Sequence, residues 1–267
     1  MTVRSKYLSV FLRLMVALAL LSQTAASTQT AYEGFSPSFP TYANGGAGFS
    51  AAWTQGGFDA FASGYTTSHK SLCYERLRTS DGSVSGGAFA AINGAIRNLA
   101  QPFGADGTTA YVSFLIQPNG TLNDGLFGGF FGLTLNGSLG NDLFIGKPGG
   151  GALNRYVLET RGGFGQVPSE LSTIVGRTSL LVLKAQFQPG NDQFTLYTDP
   201  LPGAGEPSGA VLKTDLDLGL VEHIGIYSTG AFTIDEIRIG TAFADVVPTH
   251  DKFDDNEHSE GCREDYR

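Results

Sequence analysis

Charge is scarce in this chain. Asp, Glu, Lys and Arg together make up 16% of 267 residues, and their balance is acidic, with a formal charge of −8. Nucleic acids and anionic membranes are held by clustered Lys and Arg; an acidic surface without such a cluster excludes both. Cysteine is nearly absent. Cys73 and Cys262 are the only two, too few for a disulfide scaffold or a zinc ribbon. There is no Gly-x-Ser-x-Gly elbow. Gly149-Gly150-Gly151 lacks the Gly-Lys-Ser/Thr ending and the following helix of a phosphate loop. The four histidines, His69, His223, His250 and His258, are scattered, and two of them fall in a polar terminal stretch. No amphipathic segment of ten residues or more separates the strand-like runs, so a parallel α/β architecture is excluded as well.

At the start of the chain, positive residues Arg4, Lys6 and Arg13 precede an apolar stretch, Leu14 to Leu21, and the small residues Ala25-Ala26-Ser27. This is the pattern of a secretory signal peptide over residues 1–27. The apolar stretch is too short for a bilayer span, which needs about 20 residues. Removal of residues 1–27 leaves 240 of 267 and takes away three positive charges. That length suits one large sandwich or barrel over 28–248. Residues 249–267 carry seven acids and three bases and almost nothing apolar. They are expected to form a disordered acidic tail.

Glycine numbers 37, and strand-forming runs fall between its turns. The strongest signal is Thr178 to Pro200. Leu181, Leu183, Ala185 and Phe187 fall on one face of a strand; Leu180 and Val182 fall on the other, followed by Lys184 and Gln186. The run begins apolar on both faces and ends half wet. Pro189-Gly190-Asn191-Asp192 turns the chain and Gln193 to Thr198 returns, a β-hairpin. Further strands are expected at Phe49–Trp53, Ser71–Leu77, Ala88–Asn93, Thr109–Gln117, Leu126–Leu135, Asp142–Gly146, Arg155–Thr160, Glu222–Ser228 and Ala231–Ile239. Ala95 to Ala100 reads as a strand or an irregular segment, and Asn136-Gly137 as a tight turn. About a dozen short strands with frequent turn signals indicate an all-β sandwich, and a jelly roll fits the length better than an immunoglobulin domain.

Several segments together resemble a known group. They are Tyr32-Glu33-Gly34-Phe35, Asn44 to Trp53, Leu143 to Gly150, the hairpin with Gly190-Asn191-Asp192, and Ile234 to Thr241. These resemble exported bacterial proteins with a laminin-G-like, concanavalin A-like jelly roll, some of which end in a PEP-CTERM sorting segment. This chain departs from them there and carries the acidic stretch 249–267 instead. The resemblance spans about residues 32–248. It implies a concanavalin A-like jelly-roll sandwich of two curved antiparallel sheets, a fold often used to bind glycan or protein.

Glycoside hydrolysis, the sharpest enzymatic expectation for such a fold, needs two carboxylates facing across a cleft. The chain offers adjacent Asp235-Glu236, which point to opposite faces of a regular strand. They read as a solvated acid and an acid paired to Arg238 near a sheet surface. For carbohydrate binding, exposed aromatics with polar neighbours are needed. Trp53, Tyr65, Tyr74, Tyr156 and Tyr197 are the candidates, with core packing as the alternative for each. Asn119, Asn123 and Asp124 in one loop, and Asn191 and Asp192 in another, offer oxygen ligands for Ca2+ or serve as ordinary turn residues. Asn119-Gly-Thr and Asn136-Gly-Ser match glycosylation sequons, which matter only in a eukaryotic secretory route. Export makes a Cys73–Cys262 disulfide available chemically; the alternative is two unrelated thiols. The expectation is a secreted, non-catalytic module binding glycan or an extracellular protein. A glycosidase or lyase with a dispersed site, or a purely structural exported protein, are the alternatives.

Overall fold

In a computed structural model of the chain, residues 28–35, 45–55, 64–152 and 154–249 are described. Residues 1–27 and 250–267 therefore lie outside the described residues. Fifteen strands follow in order: β1 Gln29–Glu33, β2 Thr54–Gln55, β3 Tyr65–Ser68, β4 Ser83–Gly86, β5 Asn93–Phe103, β6 Thr109–Pro118, β7 Phe131–Gly137, β8 Asp142–Lys147, β9 Arg155–Thr160, β10 Phe164–Ser172, β11 Ser179–Gln186, β12 Asp192–Thr198, β13 Val211–Leu216, β14 Val221–Ser228 and β15 Phe232–Gly240. A one-turn helix, α1 (Phe243–Val246), follows.

The strands form two antiparallel sheets. The eight-stranded sheet runs β13-β12-β11-β6-β15-β4-β3, with β1 also on β15; the seven-stranded sheet runs β10-β9-β8-β7-β14-β5-β2. The hairpin β11–β12 pairs in unbroken register from Leu181↔Thr198 to Gln186↔Gln193. Consecutive strands β5 and β6 lie in different sheets, as do β14 and β15. β14 sits beside β5, and β15 beside β6. These crossings stack the sheets face to face, as in a jelly roll.

Period-2 alternation decides what enters the interior. Val112, Phe114 and Ile116, Leu181, Leu183 and Ala185, and Leu133, Leu135 and Ile145 all point into one shared core. Phe131 and Phe232, from opposite sheets, stack at 5.4 Å. The other face of the eight-stranded sheet is covered too. There Leu115, Leu180 and Val182 pack under Leu72, Leu77, Phe243 and Val246, which is why β11 begins apolar on both sides.

The structure also departs from the sequence reading. Ser71–Leu77 is not a strand but part of a loop laid over that outer face. Phe49 makes only an isolated bridge to Leu99, and the strand near it is Thr54–Gln55. Ala88–Asn93 is loop up to Asn93, where an eleven-residue strand begins and takes in Ala95–Ala100. Asn136-Gly137 stays within β7, and the turn comes one residue later, with Gly140 N–H on the Gly137 carbonyl at 3.2 Å. Five strands, β1, β3, β4, β10 and β13, fall outside the expected ones. β10 contains Gly165 and Pro168, tolerated because it is a sheet edge. β13, at the other sheet's edge, is half exposed.

Two buried charge clusters hold the first strand in place. Glu33 of β1 pairs with Arg97 of β5 between the sheets, each side chain 2% exposed. Glu33 also accepts from Trp53 Nε1 at 3.0 Å and from Phe35 N–H at 2.8 Å. Arg97 donates to the Ala51 carbonyl at 3.0 Å and lies over the Phe49 ring at 4.1 Å. Burial lowers its pKa to about 10.

The second cluster lies on β15, where the register against β6 shifts between Asp235 and Arg238. The far neighbour changes at the same place, from β4 to β1. Glu236 takes a left-handed conformation, φ 56°. The expectation of a solvated acid is overturned: Asp235 and Glu236 are both 0% exposed. Asp235 accepts from Ser71 Oγ (2.6 Å), Leu72 N–H (2.9 Å) and Glu236 N–H (2.7 Å). Glu236 accepts from Ser80 N–H (2.6 Å) and Tyr32 Oη (3.1 Å), and pairs with Arg238 as the sequence suggested. The loop 69–82 thus brings its donors to both acids.

Replacing Glu33 by Ala strands Arg97 without its counter-charge. The expected cost is about 3–5 kcal/mol in urea denaturation, with a red shift of the emission of Trp53, the only tryptophan. Retention of the wild-type midpoint would remove the pair from any structural role. Asp235 is held well above the usual carboxylate range, first by burial and then by the charge of Glu236. Its native carboxyl keeps its proton to higher pH than the unfolded chain does. Its contribution to stability is complete below about pH 3.9 and is lost as pH rises through the raised value. Asp235→Asn is expected to flatten this part of the urea midpoint against pH and to lose about 1–3 kcal/mol, because its amide faces Leu72 N–H. An unchanged slope contradicts the assignment.

Candidate functional site

On the seven-stranded sheet, the residues between the core-facing ones point outward. Register places them in rows across β14, β7, β8 and β9. One row is Tyr227, Gly132, Gly146 and Val157; the next is Gly225, Thr134, Phe144 and Glu159. Two glycines make room for rings. A Cβ on Gly132 would meet Phe144 Cζ at 2.9 Å, and one on Gly225 would meet Tyr227 Cε2 at 2.5 Å. Each aromatic side chain therefore lies over a position where another side chain would stand.

Above this floor opens a cavity of about 680 Å³, lined by Ile92, Phe127, Phe130, Phe144 and Tyr227, by Glu159, Arg161 and Gln166, and by glycine backbone. Phe130 meets Phe144 edge-on, centroids 6.2 Å apart, while Phe127 at the rim is 62% exposed. Lys147, fully buried at the end of β8, donates from Nζ to the Gly128 carbonyl at 2.7 Å and to the Pro148 carbonyl at 3.1 Å. It ties the turn that carries Phe127 to the loop Pro148–Gly151, so the rim is held from beneath. Burial lowers its pKa to about 8.

The polar side of the cavity is a connected set. Gln166 accepts from Ala152 N–H at 2.8 Å, and its amide donates to the Gly150 carbonyl at 3.1 Å and to Glu159 Oε2 at 2.8 Å. Glu159 is 6% exposed. Burial raises its carboxyl, while Gln166 and the charge of Lys213 work against that rise. Arg161 pairs with Asp142 at 2.9 Å and holds its guanidinium 5.1 Å from the Tyr227 ring centre. Burial raises the Tyr227 phenol, and Arg161 opposes it. Glu159 is the one carboxylate among the described lining residues. The arrangement offers apolar rings, one carboxylate, one guanidinium, one amide and a row of loop carbonyls.

None of the aromatics singled out in the sequence lines this cavity. Trp53, Tyr65, Tyr156 and Tyr197 are buried, at 5%, 4%, 0% and 5% exposure. Three of them have partners for their polar atoms: Trp53 with Glu33, Tyr65 with the Asn93 carbonyl at 3.1 Å, and Tyr197 with the exposed Glu206. Core or sheet packing, the alternative weighed for each, is where they sit. Tyr74 is half-buried on the other sheet's outer side, with its hydroxyl on the Pro200 carbonyl. Asp235 and Glu236 belong to that other sheet as well. Asp192 serves its turn, accepting from Gln188 N–H at 3.2 Å and Leu218 N–H at 2.9 Å. Asn119 donates to Thr233 at 2.6 Å. Among the described residues, no three His, Cys, Asp or Glu side chains gather as a metal site. Cys73 is disulfide-bonded, and Cys262 lies outside the described residues.

Sequence reasoning missed Glu159, Arg161, Gln166, Phe127, Phe130, Phe144 and Tyr227. The strand Arg155–Thr160 was legible, and its parity separates Tyr156 and Leu158 from Val157 and Glu159. Both sets look alike on paper. Only the neighbouring strands decide that Tyr156 and Leu158 face the core.

No family model matches the chain, and no curated protein matches it. Solved structures do. The T. cruzi calreticulin globular domain superposes with a TM-score of 0.51 at 14% identity, covering 82% of this chain and 91% of that one. An endo-1,3-beta-glucanase from Streptomyces sioyaensis superposes with a TM-score of 0.50 at 10% identity, covering 82% of this chain and 98% of that one. At such identities the likeness is one of fold. The chain is an all-β, concanavalin A-like jelly-roll sandwich of two antiparallel sheets.

Proposed function

We propose that the chain is an exported, non-catalytic module that binds carbohydrate in the cavity on the outer face of the seven-stranded sheet. The observation that carries this reading is the lining: aromatic rings beside one carboxylate, one guanidinium and one amide. A pyranose presents C–H groups on its faces and hydroxyls at its edge. Aromatic rings take the first, and Glu159, Gln166, Arg161 and the carbonyls of the glycine loop take the second. The likeness of fold to a protein named as an endo-1,3-beta-glucanase supports the same ligand class. The pattern of residues 1–27 supports a place outside the cytoplasm. A protein partner at a cell surface or in a matrix is the variant of this reading in which the rings meet side chains instead.

One observation favours a second reading, glycoside hydrolysis or elimination. Glu159 is a buried carboxyl with a raised pKa in a cavity, the property a general acid needs. Hydrolysis calls for a second carboxylate facing it. Asp142, on the neighbouring strand, is held by Arg161.

The test is a glycan array that includes β-1,3-glucans, followed by titration and a product assay on the same polysaccharides, each with and without calcium. Binding is expected, with Phe127→Ala and Arg161→Ala each weakening it about tenfold, or ~1.4 kcal/mol. Glu159→Gln is expected to stay within about threefold, by the same scale. No release of reducing ends or unsaturated sugars is expected. Product release that Glu159→Gln abolishes would establish the second reading, and no binding to any glycan would overturn the first.

A further inference from the structure

Among the described residues two aromatic side chains are exposed, Phe127 at 62% and Phe164 at 73%; the other exposed large apolar side chains are aliphatic. Apolar side chains scattered singly over a surface need no explanation. These two rings are not scattered, because both adjoin the cavity on the seven-stranded sheet. Phe127 lines it. Phe164 lies against Gly162, which lines it too: a Cβ on Gly162 would meet Phe164 Cε2 at 3.4 Å.

Strand register places the two rings at opposite ends of that cavity. β8 and β9 are antiparallel, with Gly146 opposite Val157 and Leu143 opposite Thr160. The loop Pro148–Gly151 therefore lies at the Lys147 end of the pair, and the turn Arg161–Gly163 at the Asp142 end. Phe127 sits on the first: a Cβ on Gly149 would meet the Phe127 carbonyl oxygen at 2.5 Å. Phe164 follows the second, where Gly162 and Gly163 turn the chain with φ of 105° and 91°. Between the two ends runs β9, and the five steps from Arg155 to Thr160 cover about 17 Å. Phe144 and Glu159, directly paired, form the floor midway, with Gln166 of the edge strand β10 bonded to Glu159 at 2.8 Å. Phe127 is also presented under strain. Its backbone is left-handed, φ 51°, a conformation a phenylalanine keeps only where its surroundings impose it. Thr229 Oγ1 on the Leu126 carbonyl (2.5 Å) and Lys147 Nζ on the Gly128 carbonyl (2.7 Å) hold the turn from either side of the ring's residue.

We propose that the cavity takes a linear, neutral glycan chain lengthwise, parallel to β8 and β9, with one sugar face on Phe127, another on Phe164, and the units between them over Phe144 and Glu159. This rests on the carbohydrate reading and adds to it a direction and a minimum length. The gap between the rings is several sugar rings long, so a single sugar reaches one platform and a chain reaches both. Phe164 is thus the residue that selects for length. The one cation among the described lining residues, Arg161, already holds Asp142 at 2.9 Å, so the lining favours a neutral chain over an acidic one.

The test is calorimetric titration of the full chain with β-1,3- and β-1,4-gluco-oligosaccharides, each series running from the disaccharide to the hexasaccharide. Affinity is expected to rise with length by more than about tenfold in one of the two series. Phe164→Ala is expected to remove about tenfold of that gain. Its urea midpoint is expected to match the wild type, because the ring is exposed. Leu201→Ala removes an equally conspicuous apolar side chain, 60% exposed, from the loop after β12 on the other sheet; it is expected to keep the whole gain. Affinity indifferent to length, or a gain that Phe164→Ala leaves intact, overturns the proposal while the carbohydrate reading stands. Absence of binding at every length in both series overturns it as well, and the carbohydrate reading falls with it only when the glycan array is blank.

Discussion

Two sheets share one interior, and each strand can give it only every second side chain. That constraint organises the molecule. Where Val112, Phe114 and Ile116 meet Leu181, Leu183 and Ala185 across β6 and β11, a slip of β11 by one residue would turn its three apolar side chains outward. The stack of Phe131 on Phe232 joins the sheets at the same ends of β7 and β15 where the chain crosses between them. Everything not claimed by the interior is left on the two outer faces, which the chain treats differently. It covers one with the loop 69–82 and α1, and leaves the other with an open cavity.

Buried charge is used at the places where strand pairing is weakest. β1 is a five-residue strand that abuts β4 end to end along β15. Glu33 ties it across the core to Arg97, and the bulge at Asp235-Glu236 marks the junction. Neither cluster is a strong source of stability, since desolvating the charges offsets most of their attraction. Their hydrogen bonds are specific, however. The backbone N–H groups of Phe35, Leu72 and Ser80 each find a carboxylate oxygen, and that fixes where irregular chain must lie.

The cavity on the seven-stranded sheet follows from the same alternation. Its aromatic floor requires Gly132 and Gly225 beneath Phe144 and Tyr227, and its rim requires Lys147 beneath the turn and the glycine loop. The sequence reading noticed several of these residues for other reasons. Gly132 also packs closely against backbone, since a Cβ there would meet the Ile145 carbonyl oxygen at 2.3 Å. Leu143 to Gly150 carried the family resemblance, and this stretch builds one wall of the cavity. Aromatics were sought as binding residues; of those named, Trp53, Tyr65 and Tyr156 sit in the core, and Tyr74 and Tyr197 pack on the outer face of the other sheet. Burial of an isolated ring is set by strand parity relative to a partner sheet, which no single strand reveals.

By itself the sequence determined the class of fold. Alternating apolar residues in short runs, punctuated by glycine, can form little except two packed antiparallel sheets, because no segment could make a helix long enough to cover a parallel one. The faces of β6 and β11 and the pairing of β11 with β12 were legible for the same local reason. Tertiary structure alone decided the rest. Asp235 and Glu236 are adjacent, and adjacency in a regular strand separates side chains. A bulge with left-handed Glu236, imposed where β4 gives way to β1, instead buries both under one loop. Glu159 looked like any strand residue until β8 and β10 set it beside Phe144 and Gln166. Local alternation is written in the spacing of residues along the chain, whereas the neighbours that give a side chain its chemistry come from strands tens of residues away.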